Sequence, residues 1–437
     1  MKQPLLKLDT QSAPDTADEA TLHAELAAFA EFGAETQVEG WHGDDGLELP
    51  VYINEFWTAK QRQANPLHEV SYRACFKPQL PRFFIERLTA PGDVVFDPFM
   101  GRGTTLIEAA LMGRIPWGSD VSPLAERLTA PRLNPPAARD VEQRLLLIKK
   151  LCDAKSVSDV ADEDLLTFYH PETLHCLTVL RDYLQSREEA GVSDSVDAWI
   201  RLVATNRLTG HSSGFFSVYT LPPNQAVTAD RQRLINQKRE QTPPFRDIFY
   251  IIQKKSKQLT KALTEVDMAM LDSVQEQAQI VSASADAIVD CFSAESVSLV
   301  VTSPPFLDVV QYATDNWLRC WFNGIDADSV PIWQCRQVDQ WTECMTASLS
   351  AVGRLLKPGG WVAFEVGEVR GGKIKLENFA VRAGIAAGLE PVLILINEQD
   401  FTKTANCWGV SNNTRGTNTN RIVLFRKSAS NRQLTGE

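Results

Sequence analysis

Residues 94–120 run from an apolar strand, VVFD (94–97), through the turn DPFMGRGTT (97–105) into a helix, TTLIEAALM (104–112), and on to a second strand, IPWGSD (115–120). A buried strand that enters a glycine turn and a helix in this way has few folding options. The helix must cross over the sheet, and the next strand must lie parallel beside the first. The rhythm starts with LPRFFIERL (80–88) at helical spacing and the turn APGD (90–93). It resumes in QIVSAS (279–284), SVSLVVT (296–302), GGWVAFEVG (359–367), PVLILIN (391–397) and NRIVLFRK (420–427), with helices over 341–356 and near 377–387. Between about 131 and 277 the pattern changes to long, charge-rich amphipathic helices (141–152, 172–186, 195–208, 245–268), broken by a polar loop at 209–230. The expectation is a mostly parallel, twisted α/β sheet built from 68–130 and 278–437. A mainly helical insertion occupies 131–277, and a polar, acidic extension with one helix around 20–32 occupies 1–67.

Two short stretches carry chemistry. In DPFMGRGTT, Gly101 and Gly103 let the backbone turn tightly and approach a ligand, and the helix behind them offers unpaired N–H groups. Asp97 ends the first strand, where its carboxylate can meet an ammonium. Asp120 ends the second strand, 23 residues on, about where a ribose-binding acid belongs. No GK[ST] follows the glycines, so nucleotide phosphates are not the expected ligand. In VTSPPF (301–306) two prolines stop a strand dead and push Ser303 into an extended conformation, leaving a stiff corner with a hydroxyl before it and the Phe306 ring after it. In open α/β sheets ligands bind at that edge of the strands.

Composition narrows the classes. At 437 residues, 44% hydrophobic and 23% charged, the chain can bury a large core and is expected to hold more than one domain. No stretch approaches membrane-spanning length, and the N-terminus has no apolar core of signal-peptide length, so a soluble intracellular protein is expected. The eight cysteines are scattered, without a CxxC pair or a Cys/His cluster, and no metal site is expected. The net charge of −11 argues against a large nucleic-acid footprint, but residues 230–261 hold nine Lys/Arg against three acids, a local charge of +6.

Together, DPFMGRGTT and TSPPF resemble the cofactor and catalytic motifs of the S-adenosylmethionine-dependent DNA amino-methyltransferases, which act on cytosine N4 or adenine N6. HEVSYRACFKPQLPRFFIERLTAPGD (68–93) is similar to the segment that precedes the cofactor loop in that family, and ADA (285–287) is similar to its third cofactor motif. The resemblance covers roughly 68–125 and 279–427 and leaves the insertion largely unmatched. It implies a Rossmann-like methyltransferase fold with S-adenosylmethionine as cofactor. Asp97, Pro98, Phe99, Gly101, Gly103, Thr104 and Lys77 would lie around the cofactor loop and its methionine end, Asp120 at the ribose and Asp286 at the adenine.

The same resemblance implies that Ser303, Pro304, Pro305 and Phe306 form the catalytic corner. The Ser303 hydroxyl and Pro304 carbonyl would accept the two amine protons of a base flipped out of the duplex, with Phe306 stacked on it. Serine before the prolines favours cytosine N4 over adenine N6. No His or carboxylate motif marks a partner for Ser303. Arg231, Arg233, Lys238, Arg239, Arg246 and Lys254 are the expected contacts to double-stranded DNA, interleaved with Phe245, Phe249 and Tyr250. The polar loops 206–225 and 407–420 are candidates for reading base edges and for closing over cofactor or DNA. The context implied is prokaryotic, cytoplasmic and nucleoid-associated, in restriction-modification or epigenetic marking, with a cognate restriction endonuclease as the partner such a system allows. An adenine-N6 enzyme, an RNA amino-methyltransferase and a non-catalytic DNA-binding regulator on the same fold are the alternatives.

Overall fold

The computed structural model describes residues 19–43, 46–58, 65–72, 75–154, 162–220, 227–307, 312–369, 374–398 and 419–429. In chain order, α1 (Glu19–Ala27) leads to β1 (Gln37–His42) and β2 (Glu48–Asn54). There follow α2 (Gln79–Leu88), β3 (Val94–Asp97), α3 (Thr104–Leu111), β4 (Ile115–Asp120) and α4 (Pro123–Leu133). Then come α5 (Ala138–Ala154), α6 (Glu163–Leu166), α7 (Pro171–Glu189), α8 (Ser195–Arg207), α9 (Ala229–Lys238), α10 (Ile248–Lys261) and α11 (Glu265–Val274), without an intervening strand among the described residues. The rest is β5 (Gln279–Ser282), β6 (Val297–Thr302), α12 (Tyr312–Asn323), α13 (Val338–Leu355), β7 (Leu356–Val366), the short pair β8 (Glu368–Val369) and β9 (Ile374–Lys375), α14 (Leu376–Ala386), β10 (Glu390–Glu398) and β11 (Thr419–Arg426).

Nine strands form one sheet in the order β1-β2-β10-β11-β7-β6-β3-β4-β5. β5, β4, β3, β6 and β7 run parallel; β11 is antiparallel to both its neighbours, β7 and β10. The order reverses between β3 and β6, which opens a crevice beyond their carboxyl ends. This is a Rossmann-like α/β fold with a mostly parallel sheet, as the alternating elements imply.

The strands are apolar because both faces are covered. Along β3, Val95 packs into the core beneath α1 and α2 while Phe96 packs beneath α13 and α14; along β6, Val301 and Val300 divide in the same way. The region 131–277 contributes to a third core, where α5, α7, α8 and α10 pack around Trp199, Ile148 and Leu180 and reach α3, α4 and α12. The helix expected over 245–268 is two helices, because the Thr264 side chain caps a new helix start in a capping box with Asp267.

The N-terminal region differs from expectation. β1 and β2, within the stretch read as an extension, pair antiparallel, and β2 pairs in parallel with β10 and lengthens the main sheet. β1 is largely exposed, so its sequence lacks the apolar alternation that reveals a strand.

Candidate active site

At the switch point lies a cavity of about 300 Å³, lined by Tyr72, Phe99, Gly101, Asp120, Ala285, Ser303, Pro304, Phe306, Tyr312, Trp333 and Glu365, among others. One wall is the glycine turn. Gly101 and Gly103 both adopt left-handed backbone, with φ of +49° and +71°. At Gly103 the turn passes so close to α4 that an added Cβ would lie 2.3 Å from Thr129. At Gly101 the nearest heavy atom to such a Cβ is Tyr72, 3.7 Å away. Arg102 points away from the cavity, donating to the Val70 and Phe76 carbonyls at 2.9 and 3.1 Å. Those bonds, with Arg319 on the Ser71 carbonyl at 2.9 Å, anchor Val70, Ser71 and Phe76, and Tyr72 and Phe76 line the site.

Asp120 is half-buried in the same wall. Its carboxylate accepts from the Gly101 and Ser122 N–H groups, each at 2.9 Å, which fixes its orientation. Burial raises its pKa against those two hydrogen bonds.

The opposite wall is the diproline corner. Ser303, Pro304, Pro305 and Phe306 all line the cavity. The Pro305 carbonyl accepts from Trp341 Nε1 of α13 at 2.9 Å, which braces the corner from behind. Phe306 lies over Gly367, where an added Cβ would come within 2.9 Å of the ring. Phe99 and Trp333, both in the lining, meet edge-on at a centroid distance of 6.1 Å.

The Ser303 hydroxyl donates to Glu365 Oε2, and Asn420 Nδ2 donates to Glu365 Oε1 at 2.9 Å. Glu365 is buried near the end of β7, and burial raises its carboxyl pKa despite both donors. The sequence offers no motif for this carboxylate. Its one signal is a charge near the end of the otherwise apolar strand GGWVAFEVG. Tyr72, Tyr312 and Trp333 carry no such signal either, because they reach the cavity from separate segments.

Several expected cofactor residues sit elsewhere. Asp97 is 1% exposed and outside the lining; its Oδ1 accepts from Thr302 Oγ1 at 2.6 Å and from Phe99 N at 3.0 Å. Burial pushes its pKa up to about 7, opposed by hydrogen bonds from Thr302, Phe99 and Thr105. It therefore ties β3 to β6. Gly103 and Thr104 are buried beneath the turn. Lys77 is exposed just before α2 and is not part of the lining. Asp286 is exposed and accepts from Ser284 Oγ, while Ser284 and Ala285 themselves reach the cavity. Pro98, Phe99, Gly101 and Asp120 are the expected cofactor residues that the fold brings together here.

On the insertion, Arg231, Arg233, Lys238, Arg239 and Lys254 are exposed and Arg246 is half-buried. Arg233 is engaged by Asp164 and Asp230. Arg239 lies over the Tyr219 ring at 3.8 Å. Phe245 and Tyr250 are more than half exposed beside them, whereas Phe249 is buried in the helical core. The expected loop at 407–420 lies outside the described residues up to 418, as does 221–226 of the other polar loop. Among the described residues no group of three or more His, Cys, Asp or Glu could hold a metal ion, and no helix is long and apolar enough to cross a membrane.

A glycine turn and a diproline corner thus line one cavity at this switch point. Residues 34–129 match the family model for DNA methylase. Over 84 residues the chain is 46% identical to the Type II methyltransferase M.MjaII of Methanocaldococcus jannaschii, a stretch covering 19% of this chain and 16% of that protein. In this segment the chain is similar to the DNA amino-methyltransferases of the N6/N4 group. It spans about a sixth of the curated relative's length. Among solved structures, a SAM-dependent methyltransferase from Methanosarcina mazei is 10% identical, with TM-score 0.30, over 79% of this chain and 98% of that one. An rRNA methylase from Streptococcus thermophilus is 8% identical, with TM-score 0.31, over 81% and 99%.

Proposed function

We propose that the protein transfers a methyl group from S-adenosylmethionine to an exocyclic amine of a DNA base, with cytosine N4 as the target. The observation that carries this reading is the shared cavity, in which Gly101 and Asp120 stand opposite Ser303 and Pro304. The donor set suits the cofactor. Asp120, oriented by two backbone N–H groups, has acceptor capacity left for a diol. Phe99 and Tyr72 offer apolar faces to a nucleoside, and Ser284–Ala285 would border its base in place of the Asp286 carboxylate. When bound, S-adenosylmethionine supplies an electrophilic methyl on a sulfonium.

The chain's own residues supply positioning. An exocyclic amine is a poor nucleophile because its lone pair is delocalised into the ring. Acceptors at Ser303 Oγ and the Pro304 carbonyl would draw both amine protons into fixed directions and favour a tetrahedral nitrogen. The proline corner holds those acceptors in place, so little reorganisation is needed during the reaction. Phe306 would stack on the base after it leaves the duplex, for about 1–3 kcal/mol. Serine before the prolines supports cytosine over adenine.

The test is methyl transfer from labelled cofactor to duplex DNA, followed by nucleoside analysis. N4-methylcytosine is the expected product. N6-methyladenine would overturn the base assignment, and label found in RNA but not in DNA would overturn the substrate class.

A further inference from the structure

We propose that Glu365 is the positioning residue that sets the polarity of the Ser303 hydroxyl, so that the lone pairs of Ser303 face the amine of the bound base. The inference rests on the proposed amino-methyl transfer. A serine hydroxyl has one hydrogen and can either donate or accept toward the cavity. If the hydrogen pointed into the cavity it would oppose the amine protons. Here that hydrogen is committed to Glu365 Oε2, which leaves the oxygen lone pairs for the substrate. Glu365 is held in turn by Asn420, whose Nδ2 donates to Oε1 at 2.9 Å. Asn420 comes from the start of β11, Glu365 from near the end of β7 and Ser303 from the corner after β6, so three neighbouring strands assemble the unit.

The polarity depends on the charge of Glu365. Ionised, it can only accept. Protonated, with Asn420 occupying Oε1, its hydrogen sits on Oε2 and donates to Ser303, which turns the serine hydrogen toward the cavity. The groups around the carboxylate are Ser303 and Asn420, with Asp120 as a further carboxylate of the cavity; Arg421, next along β11, pairs with Glu377 of α14 at 2.7 Å. Burial raises the carboxyl's pKa, so the reversal falls above the usual glutamate range.

The experiment compares wild type, Glu365→Gln and the double variant Glu365→Gln/Asn420→Asp, using labelled cofactor and duplex DNA between pH 5 and 9. A glutamine has one oxygen for two donors, so Glu365→Gln is expected to lose about 10²-fold in kcat. KM and cofactor affinity should stay near wild type, and the acid limb of the kcat profile should disappear. In the double variant the carboxylate introduced at position 420 can accept from the glutamine Nε2, leaving the glutamine oxygen for Ser303, and much of kcat should return. A second readout needs no turnover: the ionisation of Glu365, followed by isotope-edited infrared, should move to higher pH in Ser303→Ala, which removes a donor to the charged form. Wild-type kcat in Glu365→Gln, an unchanged acid limb, or a Glu365 titration indifferent to Ser303→Ala would overturn the inference. If wild type transfers no methyl group to DNA while the titration still responds to Ser303→Ala, the proposed function fails and the serine–carboxylate polarity stands.

Discussion

Thr302 Oγ1 donates to Asp97 Oδ1 at 2.6 Å, joining the last residue of β6 to the last residue of β3. A second tie lies one helix residue inward, where Thr105 Oγ1 donates to the Val301 carbonyl at 2.9 Å. The glycine turn begins at one end of the first bond and the diproline corner at the other. Two adjacent parallel strands thus hold both walls of the cavity in register, and the link between them is a buried carboxylate.

That carboxylate should make stability fall as pH rises. The Asp97 pKa lies at about 7 in the folded protein, against about 4 for an unfolded aspartate. Between those values the folded state holds a proton that the unfolded state has released, so unfolding free energy decreases with increasing pH through that window. Glu365 and Asp120, also raised by burial, act in the same direction. Urea titrations at a series of pH values should show the decline, and Asp97→Asn should flatten it in part. A slope that is the same in both proteins would contradict the assignment.

Ser303→Ala should retain cofactor binding and lose most turnover, on the order of 10²-fold or more in kcat. Ser303 is at the corner, opposite the glycine turn that would carry the cofactor. Calorimetric titration with S-adenosylmethionine, run beside the transfer assay, separates the two effects. Loss of cofactor affinity would make the corner a structural element.

Gly103→Ala combines two penalties. Its φ of +71° costs an L-residue about 1–2 kcal/mol, and the added Cβ collides with Thr129, an overpacking worth about 1–3 kcal/mol. Adding Thr129→Ala should recover only the second part. Denaturant midpoints of the single and double variants measure the split.

Removal of the exposed cations should weaken DNA binding without touching the cavity. For Arg231→Ala, Lys238→Ala and Lys254→Ala, each charge that meets a phosphate should lower the slope of log affinity against log salt by about 0.9. Arg233→Ala should matter less, because its guanidinium is already engaged by Asp164 and Asp230. Equal effects from all four would mean that those ion pairs open on DNA.

Much of this protein is legible in its chain. Strands buried on both faces write themselves as apolar runs, and the glycine turn and diproline corner are punctuation that only certain backbone geometries accept. From VVFD, SVSLVV and the helices between strands, the parallel sheet follows, and from DPFMGRGTT and TSPPF the two walls of a site follow. The tertiary structure alone decided the rest. Asp97 reads as a ligand-facing acid, but the adjacency of β3 and β6 turned it inward onto Thr302. Glu365 and Asn420 carry no local pattern and became partners of Ser303 only because β7 and β11 lie beside each other next to β6. Short-range sterics record themselves in neighbouring residues, whereas a hydrogen bond between residues 62 apart in sequence depends on strand order, which no single segment encodes.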